Sequence, residues 1–217
     1  MKTLEDIAKE SKKFYETNYE KLKEYVINFT DEKLNNYKDS DLYTLEEIIS
    51  ALIYMKVNED YTEYLLEGEY EFTPPFHNFD VGNKTTMVEI KCRRPSISHK
   101  ILYSQPALLK LCKYTFAEPH LNRINFKYIN IFNDRIFIYD LNQMKTDIDF
   151  TIQLGDFKTV YTDNRKGNQN SKFIPLDYKF AHEIEFSNTV KKEVKDLFNL
   201  IERIEVLKQN RNKPKYK

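Results

Sequence analysis

Phe76-His77-Asn78-Phe79-Asp80-Val81-Gly82-Asn83-Lys84-Thr85-Thr86-Met87-Val88-Glu89-Ile90-Lys91-Cys92-Arg93-Arg94 is the stretch on which the fold turns. From Thr86 to Arg94 the chain alternates. Val88, Ile90 and Cys92 fall on one side, and Met87, Glu89, Lys91 and Arg93 on the other. A period of two is that of a half-buried strand with an apolar back and a polar front. Phe76 to Val81 alternates in the same way, and Gly82-Asn83 marks a turn between the runs. The turn sets the register. A two-residue Gly82-Asn83 loop would pair Asp80 with Thr85 and leave Glu89 four positions along, roughly 13 Å away at about 3.4 Å per residue. A four-residue loop, Asn83 to Thr86, sets Asp80 opposite Glu89 with Cβ atoms roughly 5 Å apart. We expect the longer loop. It would bring two carboxylates and the amine of Lys91 onto one sheet face, the oxygen-rich donor set with which a divalent cation activates water against a phosphodiester.

At these residues the chain resembles the PD-(D/E)xK nuclease superfamily, whose fold is called restriction-endonuclease-like. The family pattern is an acid on one strand, then an acid, any residue and a lysine on the next; Asp80, Glu89 and Lys91 match it. The resemblance covers about residues 44 to 141, and it departs from the pattern at Phe79, where many members carry proline. It implies that Asp80 and Glu89 bind Mg²⁺ (Mn²⁺ as substitute), with the backbone carbonyl of Ile90 as a further ligand. Lys91 would position or deprotonate the attacking water. It also implies an acid from the helix before the first strand, for which Glu47 and Glu63 are the candidates. The expected activity is a metal-dependent deoxyribonuclease, more an endonuclease of restriction or phage type than an exonuclease. DNA is the expected partner, and cutting both strands would call for a homodimer. The rival is a non-catalytic nucleic-acid- or protein-binding module of the same α/β fold, in which the three charges are an ordinary solvated strand face.

Working outward, residues 3 to 37 read as helical, opened by a capping box at Thr3 and Asp6. Thr44-Leu45-Glu46-Glu47 reads as a second capping box before an apolar helix, with a short helix at Asp60 to Leu66 and a strand at Glu69 to Phe72. After Pro95 and Ser96 a helix is expected to about Phe116, with Pro106 kinking it or marking its first turn and Gln105 as a cap. Arg123 to Phe132 and Arg135 to Leu141 form a hairpin around Asn133-Asp134. Residues 163 to 172 read as a polar loop, and residues 189 to 208 as an amphipathic helix with Val194, Leu197, Phe198 and Ile201 on one face. The fold class is therefore mixed α/β: a central mixed sheet flanked by helices, with a helical segment at 1–40 packing on a domain at 41–217.

Phosphate contacts are expected from Arg93, Arg94 and Lys100 beside the motif strand, and from Arg165 and Lys166 in the polar loop. With 34 basic and 34 acidic residues the net charge is zero, so affinity for a polyanion must come from such local patches. Cys92 and Cys112 are the only cysteines and are not in CxxC spacing, so neither a zinc site nor a disulfide framework is indicated. With no apolar run of membrane-spanning length and a charged N-terminus, an intracellular, cytoplasmic setting is expected, or the host cell for a viral chain. Abundant Lys, Asn, Ile, Tyr and Phe match an AT-rich coding genome. His77, His99, His120 and His182 are scattered and define no catalytic arrangement.

Overall fold

The structure, a computed structural model, describes residues 3–73, 79–161 and 170–212. The N-terminal region forms four helices: α1 (Leu4–Ala8), α2 (Lys12–Ile27), α3 (Asp31–Asn35) and α4 (Asp39–Asp60). The expected single helix over 3–37 is thus three. Ser11 and Thr30 are the breaks, because each hydroxyl accepts an N–H of a new first turn. The capping box at Thr3 and Asp6 is present. That expected at Thr44 is not: α4 starts earlier, where the Asp41 carboxylate accepts the Lys38 N–H at 3.0 Å. Thr44 lies inside the helix and donates its hydroxyl to the Ser40 carbonyl. The short helix expected at Asp60 to Leu66 is a series of turns.

Strands β1 (Glu71–Phe72), β2 (Val81–Gly82) and β3 (Thr86–Cys92) follow. The long helix expected up to Phe116 is replaced by α5 (Ile101–Ser104), strand β4 (Ala107–Lys110) and α6 (Leu111–Ala117). Pro106 is the cause, since it cannot donate an N–H and holds Gln105 extended (φ −133°, ψ 136°) as the C-cap of α5. The hairpin β5 (Asn125–Ile131) and β6 (Arg135–Asp140) closes around Asn133-Asp134 as expected, with Ile131 opposite Ile136. Then come α7 (Lys145–Leu154), β7 (Lys158–Tyr161), β8 (Asn170–Leu176), β9 (Ala181–Glu185) and α8 (Asn188–Asn212).

The main sheet has the order β1-β2-β3-β5-β6-β9, with β3 and β5 parallel and every other pair antiparallel. Central strands buried on both faces read as nearly continuous apolar runs, which is why β5 and β6 show little alternation. Val88, Ile90, Ile129 and Ile136 pack with α1 to α4 and α8 in one aliphatic core. Phe126, Tyr128, Phe137 and Tyr139 face the other way, onto a second, three-stranded sheet β4-β8-β7 and helices α5, α6 and α7. The molecule is thus a mixed α/β fold with a central mixed sheet between helical layers. Among the described residues no helix is long and apolar enough to cross a membrane.

Candidate active site

The site forms where β2 leaves β3. Val81 pairs with Val88 and Gly82 with Met87, so the loop is Asn83 to Thr86, the longer of the two alternatives. Asn83 Oδ1 fixes it by accepting the N–H groups of Thr85 at 2.9 Å and Thr86 at 2.8 Å. The pairing is not flat beyond Val81. The Asp80 N–H also donates to the Val88 carbonyl at 2.9 Å, so two consecutive residues face Val88. This is a β-bulge, and packing bears its mark: Phe79 joins the aromatic core and Val81 the aliphatic core on the opposite face. Unbroken alternation would place both on one side. The bulge re-aims Asp80, whose Oδ2 accepts the Ile90 N–H at 2.6 Å in place of a strand carbonyl. The expected first strand begins at Phe76, but residues 74–78, including His77, lie outside the described residues.

Glu89 is 0% exposed. Its Oε1 lies 2.6 Å from Lys91 Nζ and is buried with no hydrogen bond of good geometry; its Oε2 is paired with Lys113 from α6. Burial works to raise the Glu89 carboxyl, but Lys91 and Lys113 outweigh it and hold it below the ordinary carboxylate range. Asp80 behaves oppositely. Burial, and then the charge of Glu89, push its carboxyl up to about 7 against the pull of the same lysines and the Ile90 N–H. The Lys91 side chain is 44% exposed. Burial alone would lower its pKa, but Glu89 and Asp80 raise it above the usual amine value, so Lys91 is a cation at neutral pH. The three expected residues therefore meet, together with a fourth, Lys113.

Beside them a cavity of about 510 Å³ reaches Asp80, Lys91, Arg93 and Arg94 on one side and α4 and α8 on the other. Glu47 lines this cavity from α4; Glu63 is exposed in the turns after α4 and does not. Arg93 is anchored, its Nε donating to Asn130 Oδ1 at 2.7 Å. Lys100 is exposed at the N-cap of α5, away from the cavity. Arg165 and Lys166 lie outside the described residues.

Two residues of this cluster escaped the sequence. Lys113 sits 24 positions from Glu89 in a segment that reads as part of a longer helix, and only the tertiary fold joins them. Asn130 left a trace. It is a polar residue in the apolar run of β5, on the face of Tyr128, and is 0% exposed beside Lys91 in the parallel ladder. Comparison with family models, with curated proteins and with solved structures gives no match for the chain.

Proposed function

We propose that this chain is a metal-dependent nuclease of restriction-endonuclease-like architecture that hydrolyses phosphodiester bonds of DNA. The observation that carries the reading is the meeting of Asp80 and Glu89 from neighbouring strands where β2 parts from β3, with Lys91 on a Glu89 oxygen. The element order adds support. A helix, three antiparallel strands, a helical crossover and two further strands follow the order that the resemblance implies.

Mg²⁺ fits the donor set. Asp80 lies close enough to the fully buried Glu89 that the charge of Glu89 raises the proton affinity of Asp80, an electrostatic state that a cation relieves. Asp80, Glu89 and the Ile90 carbonyl would hold it. When bound it would supply Lewis acidity and a more acidic water. The chain's own residues do the rest. Protonated Lys91 is suited to orienting the attacking water or a phosphate oxygen, and not to removing a proton. Arg93, held by Asn130, offers a fixed cation to a flanking phosphate. In the reaction a water oxygen bonds to phosphorus, the bond to the departing sugar oxygen breaks, and that oxygen takes up a proton.

Incubation with plasmid, single-stranded DNA and RNA under Mg²⁺ and Mn²⁺ tests the reading. Cleavage is expected, and Asp80→Ala and Lys91→Ala should each slow it at least about 100-fold with the circular dichroism spectrum unchanged. Full activity in both variants would end it. One observation favours a second reading, a non-catalytic binding module: two lysines already neutralise Glu89. Calorimetric titration with Mg²⁺ and Mn²⁺ separates the two. Binding that disappears in Glu89→Ala supports the enzyme, and no binding supports the module.

A further inference from the structure

The α4 and α8 wall of the cavity has no part in the chemistry above, yet it is built. Glu46 is paired with the ammonium of Lys208, itself 7% exposed, whose Nζ lies 3.7 Å from the Tyr43 ring centroid and 3.4 Å from Glu205. Gln209 stands at the rim, and Tyr15 and Phe72 complete an aromatic side. Burial first, and Glu205 second, push the Glu46 carboxyl up to about 7 against Lys208.

We infer that this wall receives a nucleobase, so that substrate reaches Asp80 and Glu89 as an unpaired nucleotide and not as the interior of a duplex. The inference rests on the nuclease reading of the same site. Size argues for it. The cavity's volume equals that of a cube about 8 Å on edge, within the range that single small-molecule groups occupy but narrower than the roughly 12 Å of a major groove alone. Charge argues for it too. Lys91, Arg93 and Arg94 line the end where a phosphate belongs, while Glu46 and Glu205 line the other, where they disfavour phosphate and accept hydrogen bonds from base amino groups. Tyr43 lines the cavity with one ring face against the Lys208 ammonium, which leaves a base to pack on the part of the ring that the cavity reaches. Lys208 ties Glu46 and Tyr43 together, so the wall is organised before a ligand arrives.

The full chain, with Mg²⁺ or Mn²⁺, is offered a relaxed, covalently closed duplex circle and a single-stranded circle of the same sequence. The single-stranded circle should be cut at least about tenfold faster. Equal rates, or a faster duplex, would overturn the inference while leaving the nuclease reading intact. If neither circle is cut the nuclease reading fails, and calorimetric titration with deoxyadenosine monophosphate decides the wall by itself. Saturable binding weakened roughly 5- to 100-fold in Tyr43→Ala, the range of base–aromatic stacking, supports it; no binding to the unaltered chain overturns it. Should Tyr43→Ala fail to fold, the circle rates and the titration of the unaltered chain still uphold or overturn the inference.

Discussion

Asp80 is the residue whose state is most open to measurement. Its carboxyl ionises at about 7 in the folded chain against 3.8 in an unfolded one. Between those values the folded state holds a proton that the unfolded state has released, so the contribution of Asp80 to stability is full below pH 3.8 and is lost as pH rises towards 8. Asp80→Asn removes the ionisation while keeping an oxygen for the Ile90 N–H. In urea titrations the gain of the variant on the unaltered chain should be larger at about pH 8 than at about pH 5, by roughly 2–3 kcal/mol. A difference that is the same at both pH values would show that burial and Glu89 do not govern this carboxyl. The same residue marks how far a sequence can be read. Alternation and loop length put Asp80 level with Glu89; the loop has the expected length, but the register stops at Val81 opposite Val88, and the Asp80 N–H bonds the Val88 carbonyl as well. The bulge that turns its side chain onto the Ile90 N–H follows from the splitting of Phe79 and Val81 between two cores. Which of two apolar side chains enters which core is a three-dimensional question that spacing along the chain does not answer.

At the scale of elements, the β2–β3 turn carries the site because it cannot shift. A Cβ added at Gly82 would sit 2.9 Å from the Thr86 carbonyl and closer still to the Met87 sulfur. The sulfur can swing away, but the carbonyl is backbone in the loop that sets the register. Gly82→Ala should therefore cost about 1–3 kcal/mol in chemical denaturation, and Met87→Ala added to it should recover only part. A variant as stable as the original would mean that the turn has slack. Strands β3, β5 and β6 were legible because two-fold alternation, or a short apolar run bounded by turn residues, is a local property. The segment around Pro106 was not. Leu108, Leu109 and Leu111 suit a helix by composition, yet Leu109 is fully buried in a strand whose partner, β8, lies more than 60 residues later. Tertiary pairing overrode a local preference there. The split of the N-terminal helices was written in Ser11 and Thr30, since capping hydroxyls interrupt a charged helix as readily as they start one.

Over the whole molecule, the question is whether the N-terminal helices are an appendage or part of the core. Their buried residues, among them Ile7, Tyr15, Val26, Phe29 and Leu34, belong to the same aliphatic cluster as Ile53 of α4, Ile129 of β5 and Phe198 of α8. Polar clamps point the same way. Arg203 of α8 donates to the Phe29 carbonyl and to Asp31, and Arg211 to the Leu34 and Asn35 carbonyls and to Asp39. A chain starting at Lys38 would leave Arg203 and Arg211 without those carbonyl acceptors and the apolar sides of α4 and α8 in water, at roughly 25 cal/mol per Å² uncovered. It should lose cooperative unfolding followed by tyrosine fluorescence, a suitable probe because the chain has 16 tyrosines and no tryptophan. Phe198→Ala, at a position 0% exposed within that cluster, should lower the single transition of the full chain by about 3–5 kcal/mol. A shortened chain that still unfolds in one sharp step would make the helices a separable layer. The cavity beside Asp80 would then lose the Tyr15 part of its wall without losing the fold that holds Asp80 and Glu89 together.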